Sequence, residues 1–187
     1  MQNNYYYFAA TFPALSMDTA PEWTLDQFAM RCRDHLAPDD LLALDEFLNE
    51  STSPRHPFLQ SWQVAETCLR NAIVKARAER LRSNPAQYAQ PQQGIDLQMA
   101  EVVADAFDHP SPLERELILN RYRWQKADEL AGYNTFSISA VLAYAIKLRL
   151  AEQWSKMSEA EGSKKIKELV EQAVSKSLFN DKEFRTV

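Results

Sequence analysis

Glycine is scarce. Three occur in 187 residues, Gly94, Gly132 and Gly162, and no two are close enough for a dinucleotide fingerprint or a phosphate-cradling loop. The chain also holds only two cysteines, Cys32 and Cys68. Both fall inside predicted helices with no CxxC spacing, so they read as buried thiols of a reducing compartment; a disulfide or metal pair is the minor reading. The three histidines, His35, His56 and His109, stand at helix ends or in proline-containing turns. No HExxH or ExxH pattern is present, and Glu114 and Glu116 lie two apart, on different helix faces. No catalytic residue, cofactor or metal is indicated, although site residues can converge from distant positions. No run approaches the roughly 20 apolar residues that span a bilayer. The opening MQNNYYYFAATFPAL lacks a basic n-region, so it is not read as a signal peptide. The net charge of −5 argues against nucleic acid as a partner, since phosphate binding needs a basic field. These absences lead to the expectation of a cytoplasmic protein that is not an enzyme.

What is present is helix and aromatic. Thr24 and Gln27 form a capping-box pattern before Leu25, Phe28, Ala29, Cys32 and Leu36 at helical spacing. Pro38 opens a second helix with Asp39 and Asp40 in its first turn, where carboxylates suit the dipole. A break at 51–57 precedes a long helix over 58–82, with Leu59, Trp62, Ala65, Leu69, Ile73 and Ala76 facing inward. A helix over 95–107 and the HPSP turn lead into Ser111. There an N-cap serine, Pro112 at the first helical position and Glu114 predict a helix over 112–131. Gly132 sits where a left-handed residue ends it. A second helix is expected over 137–157, and a last amphipathic one over 163–178.

The fold class is therefore all-α, a multi-helix bundle, with an aromatic segment at Tyr5 to Leu15 that is either a short strand or the first turns of a buried helix. NPAQYAQPQQG at 84–94 is the best linker. It divides an N-terminal helical lobe, 1–83, from a C-terminal lobe, 95–178, unless the two form one continuous domain.

Charge is uneven. Residues 24–50 carry seven carboxylates against two arginines, whereas residues 70–82 carry five basic residues against one glutamate. Such faces read either as solvated or mutually facing helices, or as docking surfaces that steer a partner. Arg121, Tyr122, Arg123 and Trp124 come in a row and fan around their helix, so at least one large side chain points away from the core. Trp, Tyr and Arg supply most interface hot spots. Tyr6, Arg121, Trp124, Tyr144 and Trp154 are accordingly the candidate partner-binding residues, each weighed against core packing.

The N-terminal YYYFAATFPAL and the segment PLERELILNRYRWQKADELAGYNTFSISAVLAYAIKLRLAEQWSKM resemble a small bacterial family encoded among the genes of V-type (A/V-type) ATP synthase subunits. The marks are an R-Y-R-W run, a glycine and an aromatic in the turn, and a final A-Y-x-x-K-L helix ending in Trp. The resemblance covers a third to a half of the chain. It implies a non-catalytic counterpart of the all-helical central-stalk cap that joins the rotor shaft to the membrane ring. Its partners would be protein subunits of the rotor shaft or stalk, and any membrane contact would be indirect, at the inner face. The chain is much shorter than that cap and lacks its three-fold repeat of helical lobes. Two other readings are a small soluble enzyme with a polar cleft between two helical lobes, lined by carboxylates and His109 or Arg121, and a DNA-associated regulator using 70–82.

Overall fold

A computed structural model describes residues 3–81 and 97–157. Among them are seven helices and no strand: α1 (Tyr6–Ala9), α2 (Leu25–His35), α3 (Pro38–Leu48), α4 (Pro57–Leu81), α5 (Leu97–Asp108), α6 (Pro112–Ala131) and α7 (Ile138–Ser155). The bundle is all-α, as expected. The aromatic N-terminal segment is helical for one turn. The expected helix over 163–178 and the linker 84–94 lie outside the described residues.

Local chemistry sets the helix boundaries. The Thr24 hydroxyl accepts from the Gln27 N–H at 3.2 Å, and the Gln27 side chain accepts from the Thr24 N–H at 3.1 Å, completing the capping box of α2. Ser111 caps α6 by accepting from Glu114 N–H at 3.4 Å, with Pro112 at the first position. The Glu114 side chain does not return the bond; its carboxylate lies 3.6 Å from His109 Nδ1. Gly132 ends α6 at φ 72° and ψ −164°. The φ is positive, but the ψ lies outside the left-handed helical region and in one that is essentially glycine's alone.

α7 is the axis of the molecule. It packs against α2, α3, α4 and α6. Residues on every side of it are buried, including Val141, Leu142, Ala145, Ile146 and Leu148. Sequence spacing suggests a stripe through Leu142, Tyr144, Ile146, Leu150 and Trp154; the structure instead buries most of the helix circumference. A helix apolar all round belongs inside. Each fully buried Leu or Ile there contributes about 1.5–3 kcal/mol.

Two clusters of buried side chains form around this frame. One gathers Tyr5, Phe8, Phe28, Leu44, Phe47, Phe58 and Leu59 against α7. The other joins Leu69 and Ile73 of α4, Met99, Val103 and Phe107 of α5, and Leu119 and Tyr122 of α6. α4 and α6 each feed both clusters, α4 through Leu59 and Leu69, α6 through Ala127 and Leu119. Of the inward set expected for α4, Leu59, Leu69 and Ile73 are buried and Trp62, Ala65 and Ala76 are half-buried.

Candidate functional site

The N-terminal segment is fastened to the turn between α6 and α7. The Tyr5 N–H donates to the Phe136 carbonyl at 2.8 Å. The Tyr5 ring is buried, and its hydroxyl donates to Asp40 Oδ2 while accepting from the Ala37 N–H at 3.2 Å. Tyr5 therefore ties the chain start both to the α6–α7 turn and to the start of α3. Burial, followed by the Asp40 carboxylate, raises the Tyr5 pKa, so the hydroxyl stays a donor.

With Tyr5 turned inward, its two successors turn out. Tyr6 stacks edge-on against Phe136, 4.7 Å between ring centroids, and Tyr7 meets Tyr6 edge-on at 5.3 Å. Tyr6 is 52% exposed and Tyr7 87%. Tyr133, on the same turn as Phe136, is fully exposed. That turn is held firmly. Asn134 Oδ1 accepts from the Phe136 N–H at 3.1 Å. Ser137 donates to the Asn134 carbonyl at 2.9 Å and accepts from the Ala140 N–H at 3.3 Å as the N-cap of α7. The result is a surface where the rings of Tyr6, Tyr7 and half-buried Phe136 meet, from two distant segments, with exposed Tyr133 three residues away on the same turn. Rigid, amphipathic tyrosines at such density suit a protein interface.

The other candidates are placed differently. Tyr144 is buried: its ring packs on Phe12 and Phe28, and its hydroxyl donates to the Pro13 carbonyl at 3.0 Å. Burial pushes its pKa up to about 12. The ring that spacing offers to a partner is taken up by the chain's own N-terminal segment. Arg121 is exposed on α6. Trp124 is half-buried, with the Lys147 ammonium 5.5 Å from its ring centroid. Trp154 is half-buried in the last turn of α7. Since α7 rises 1.5 Å per residue, Trp154 stands about 24 Å along the axis from Ile138 and the tyrosine patch. One small surface cannot hold all five residues. Tyr133 and Phe136 escape a search for helical stripes, because they lie on a turn. The signal for them is an aromatic directly after a helix-ending glycine, where little core is within reach.

A polar cleft of about 500 Å³ lies between the C-terminal end of α3, the following turn, α4 and α7. Glu46, Glu50, Glu66, Trp62, Arg70 and Arg149 line it. Arg149 sits 4.0 Å above the Phe47 ring and donates to the carbonyls of Phe47 and Leu48, closing the negative end of α3. Desolvation lowers its pKa, partly offset by Glu50. Glu66 is held by Arg123 and Arg70. His109 and Arg121 do not line this cleft; His109 lies between Asp105 and Glu114. His35 stacks on Phe8 at 4.5 Å, and His56 accepts the Phe58 N–H through Nδ1 at 3.2 Å. Burial pulls the His56 pKa down, which keeps that nitrogen an acceptor. No group of three or more potential metal ligands is found among the described residues, nor is any helix there long and apolar enough to cross a membrane.

The chain belongs to a family of proteins of unknown function (DUF2764), whose model matches residues 39–177. No curated protein and no solved structure matches the chain.

Proposed function

We propose that this chain is a non-catalytic helical subunit or assembly factor of a V-type ATP synthase/ATPase, similar in role to the central-stalk cap that couples rotor shaft to membrane ring. The observation that carries the docking half of this reading is the surface of exposed Tyr6, Tyr7 and Tyr133 beside half-buried Phe136, built on an ordered turn. The resemblance of both chain ends to the ATP synthase-associated family supplies the partner. A cytoplasmic protein, peripheral to the inner face of the membrane through the complex, follows from that partner.

Affinity purification of the tagged protein with gentle detergent, followed by mass spectrometry, tests the reading. Rotor or stalk subunits are expected in the eluate, and their consistent absence sinks it. Arg121 and Trp124 form a second candidate contact on α6. A folded Trp124→Ala variant that recovers the same subunits removes that residue from the surface.

The cleft between α3, α4 and α7 favours a second reading, a small soluble enzyme using carboxylates there. That reading expects compounds that raise the melting temperature of the wild-type protein but not of Glu50→Gln. A broad metabolite screen with no such compound would set it aside.

A further inference from the structure

The tyrosine patch has a charged rim with a definite sign. Tyr5 spans from the Phe136 backbone to Asp40, so the first turn of α3, with Asp39 and Asp40, lies one tyrosine side chain away from Tyr6. Asp40 is bonded by two neutral donors, the Tyr5 hydroxyl and, at 2.9 Å, the Asn3 amide. Among the described residues no Lys or Arg is paired with it. Asp39 is exposed. The N-terminal end of α3 offsets these two charges by about half a unit at most. On the other side, the last turn of α6 leads directly into Tyr133 and brings Asp128 and Glu129. Those two are matched by Lys147 at 2.6 Å and Lys126 at 3.0 Å. The carbonyl end of α6 adds further partial negative charge. Counted over the described residues, the rim is thus net negative around electron-rich ring faces.

We infer that this patch receives a basic, amphipathic segment of a partner protein, with Lys or Arg side chains over Tyr7 and Tyr133 and an apolar side against Tyr6 and Phe136. The inference rests on the docking role proposed above and specifies the partner's chemistry. Tyrosine faces attract ammonium and guanidinium groups, and a carboxylate rim strengthens and orients that attraction. A second copy of this chain fits poorly, because it would bring two acidic rims together on chains that each carry a net charge of −5. A phosphate-bearing surface meets the same repulsion.

The test uses the full chain and two synthetic 18-residue helical peptides of Leu with Lys, or Leu with Glu, at the same positions. Binding is followed by fluorescence anisotropy at low and at moderate salt. The Lys peptide is expected to bind and the Glu peptide to bind at least tenfold more weakly. The double variant Tyr7→Ser, Tyr133→Ser should lose at least tenfold in affinity for the Lys peptide. Asp39→Asn should lose severalfold and show a shallower salt dependence. Circular dichroism melting confirms that both variants remain folded. Equal binding of the two peptides, or undiminished binding by the tyrosine variant, overturns the inference. So does sedimentation showing a wild-type dimer that the tyrosine variant abolishes. Co-purification of ATPase subunits separates this claim from the broader one. If wild type and tyrosine variant recover them equally, the inference fails and the proposed function stands. If wild type recovers none, the proposed function fails, and the peptide measurements alone decide the inference.

Discussion

Arg123 of α6 grips Glu66 of α4 with two nitrogens, Nε to Oε2 at 3.1 Å and Nη2 to Oε1 at 3.2 Å, and both side chains are largely buried. Nη1 reaches Asn120 Oδ1 at 2.9 Å and Glu116 Oε1 at 3.2 Å. The fork joins the two helices that feed both buried clusters. Removing one side of such a pair strands the other charge in a poor solvent. Glu66→Ala is expected to cost about 3 kcal/mol, the low end for a buried pair because Glu116 remains. Urea unfolding measures it. A loss below about 0.5 kcal/mol would place the pair with exposed surface bridges instead.

High pH should loosen the larger cluster. Burial pushes Tyr144 and Cys32 each up to about 12, and Tyr5 is raised as well. For each, the charged form is the deprotonated one, and the folded state holds its proton longer than the unfolded chain. The unfolded state therefore releases protons first, between the ordinary values of 9–10 and about 12. Stability is full below that window and falls as pH rises through it. The urea midpoint should drop clearly between pH 8 and pH 11, and Tyr144→Phe should drop less steeply. A midpoint independent of pH over that range contradicts the assignment.

Gly132 carries a sharper prediction than an ordinary helix stop. A Cβ at Gly132 would touch nothing within 4 Å, so space does not oppose a side chain. The backbone does, with φ at 72° and ψ at −164°. Gly132→Ala should cost about 1–3 kcal/mol from strain alone. Gly132→Asn should fare no better, although Asn tolerates a left-handed helical cap. Thermal melts of both variants decide; recovery of stability by Asn alone would mean the turn relaxes into that cap.

Two serine caps should differ in worth. Ser137 is buried, donates at 2.9 Å and accepts at 3.3 Å, whereas Ser111 only accepts, at 3.4 Å. Ser137→Ala is expected to cost about 1–2 kcal/mol and Ser111→Ala about 0.5 kcal/mol. The comparison also reports on the patch, since Ser137 holds the turn that presents Tyr133. Equal losses in a chemical-denaturation series would show that the extra bond to Asn134 contributes nothing.

Much of the frame is written locally. Thr24 with Gln27, Pro38 with its two aspartates, Ser111 with Pro112, and Ser137 each mark a helix start, because capping depends on residues three positions apart. α6 runs over 112–131, as its punctuation indicates. Where the described residues test them, the edges shift by one or two residues: α4 starts at Pro57, α5 ends at Asp108 and α7 runs from Ile138 to Ser155. The single turn at Tyr6–Ala9 is less legible, since four residues are too short for periodicity to separate helix from strand.

The surface was settled elsewhere. The run Arg121 to Trp124 contains an exposed arginine, a buried tyrosine, a clamped arginine and a half-buried tryptophan. No local rule orders them, because α5 and α4 occupy two sides of α6 and α7 a third. Tyr144 goes inward because Phe12 and Pro13 arrive from the far end of the chain. Tyr6 meets Phe136 because the Tyr5 N–H finds the Phe136 carbonyl. The sequence by itself determined most of the described helices and their caps, since those depend on neighbours along the chain. Only the tertiary structure decided which aromatics stay at the surface, since that depends on contacts between residues more than a hundred positions apart.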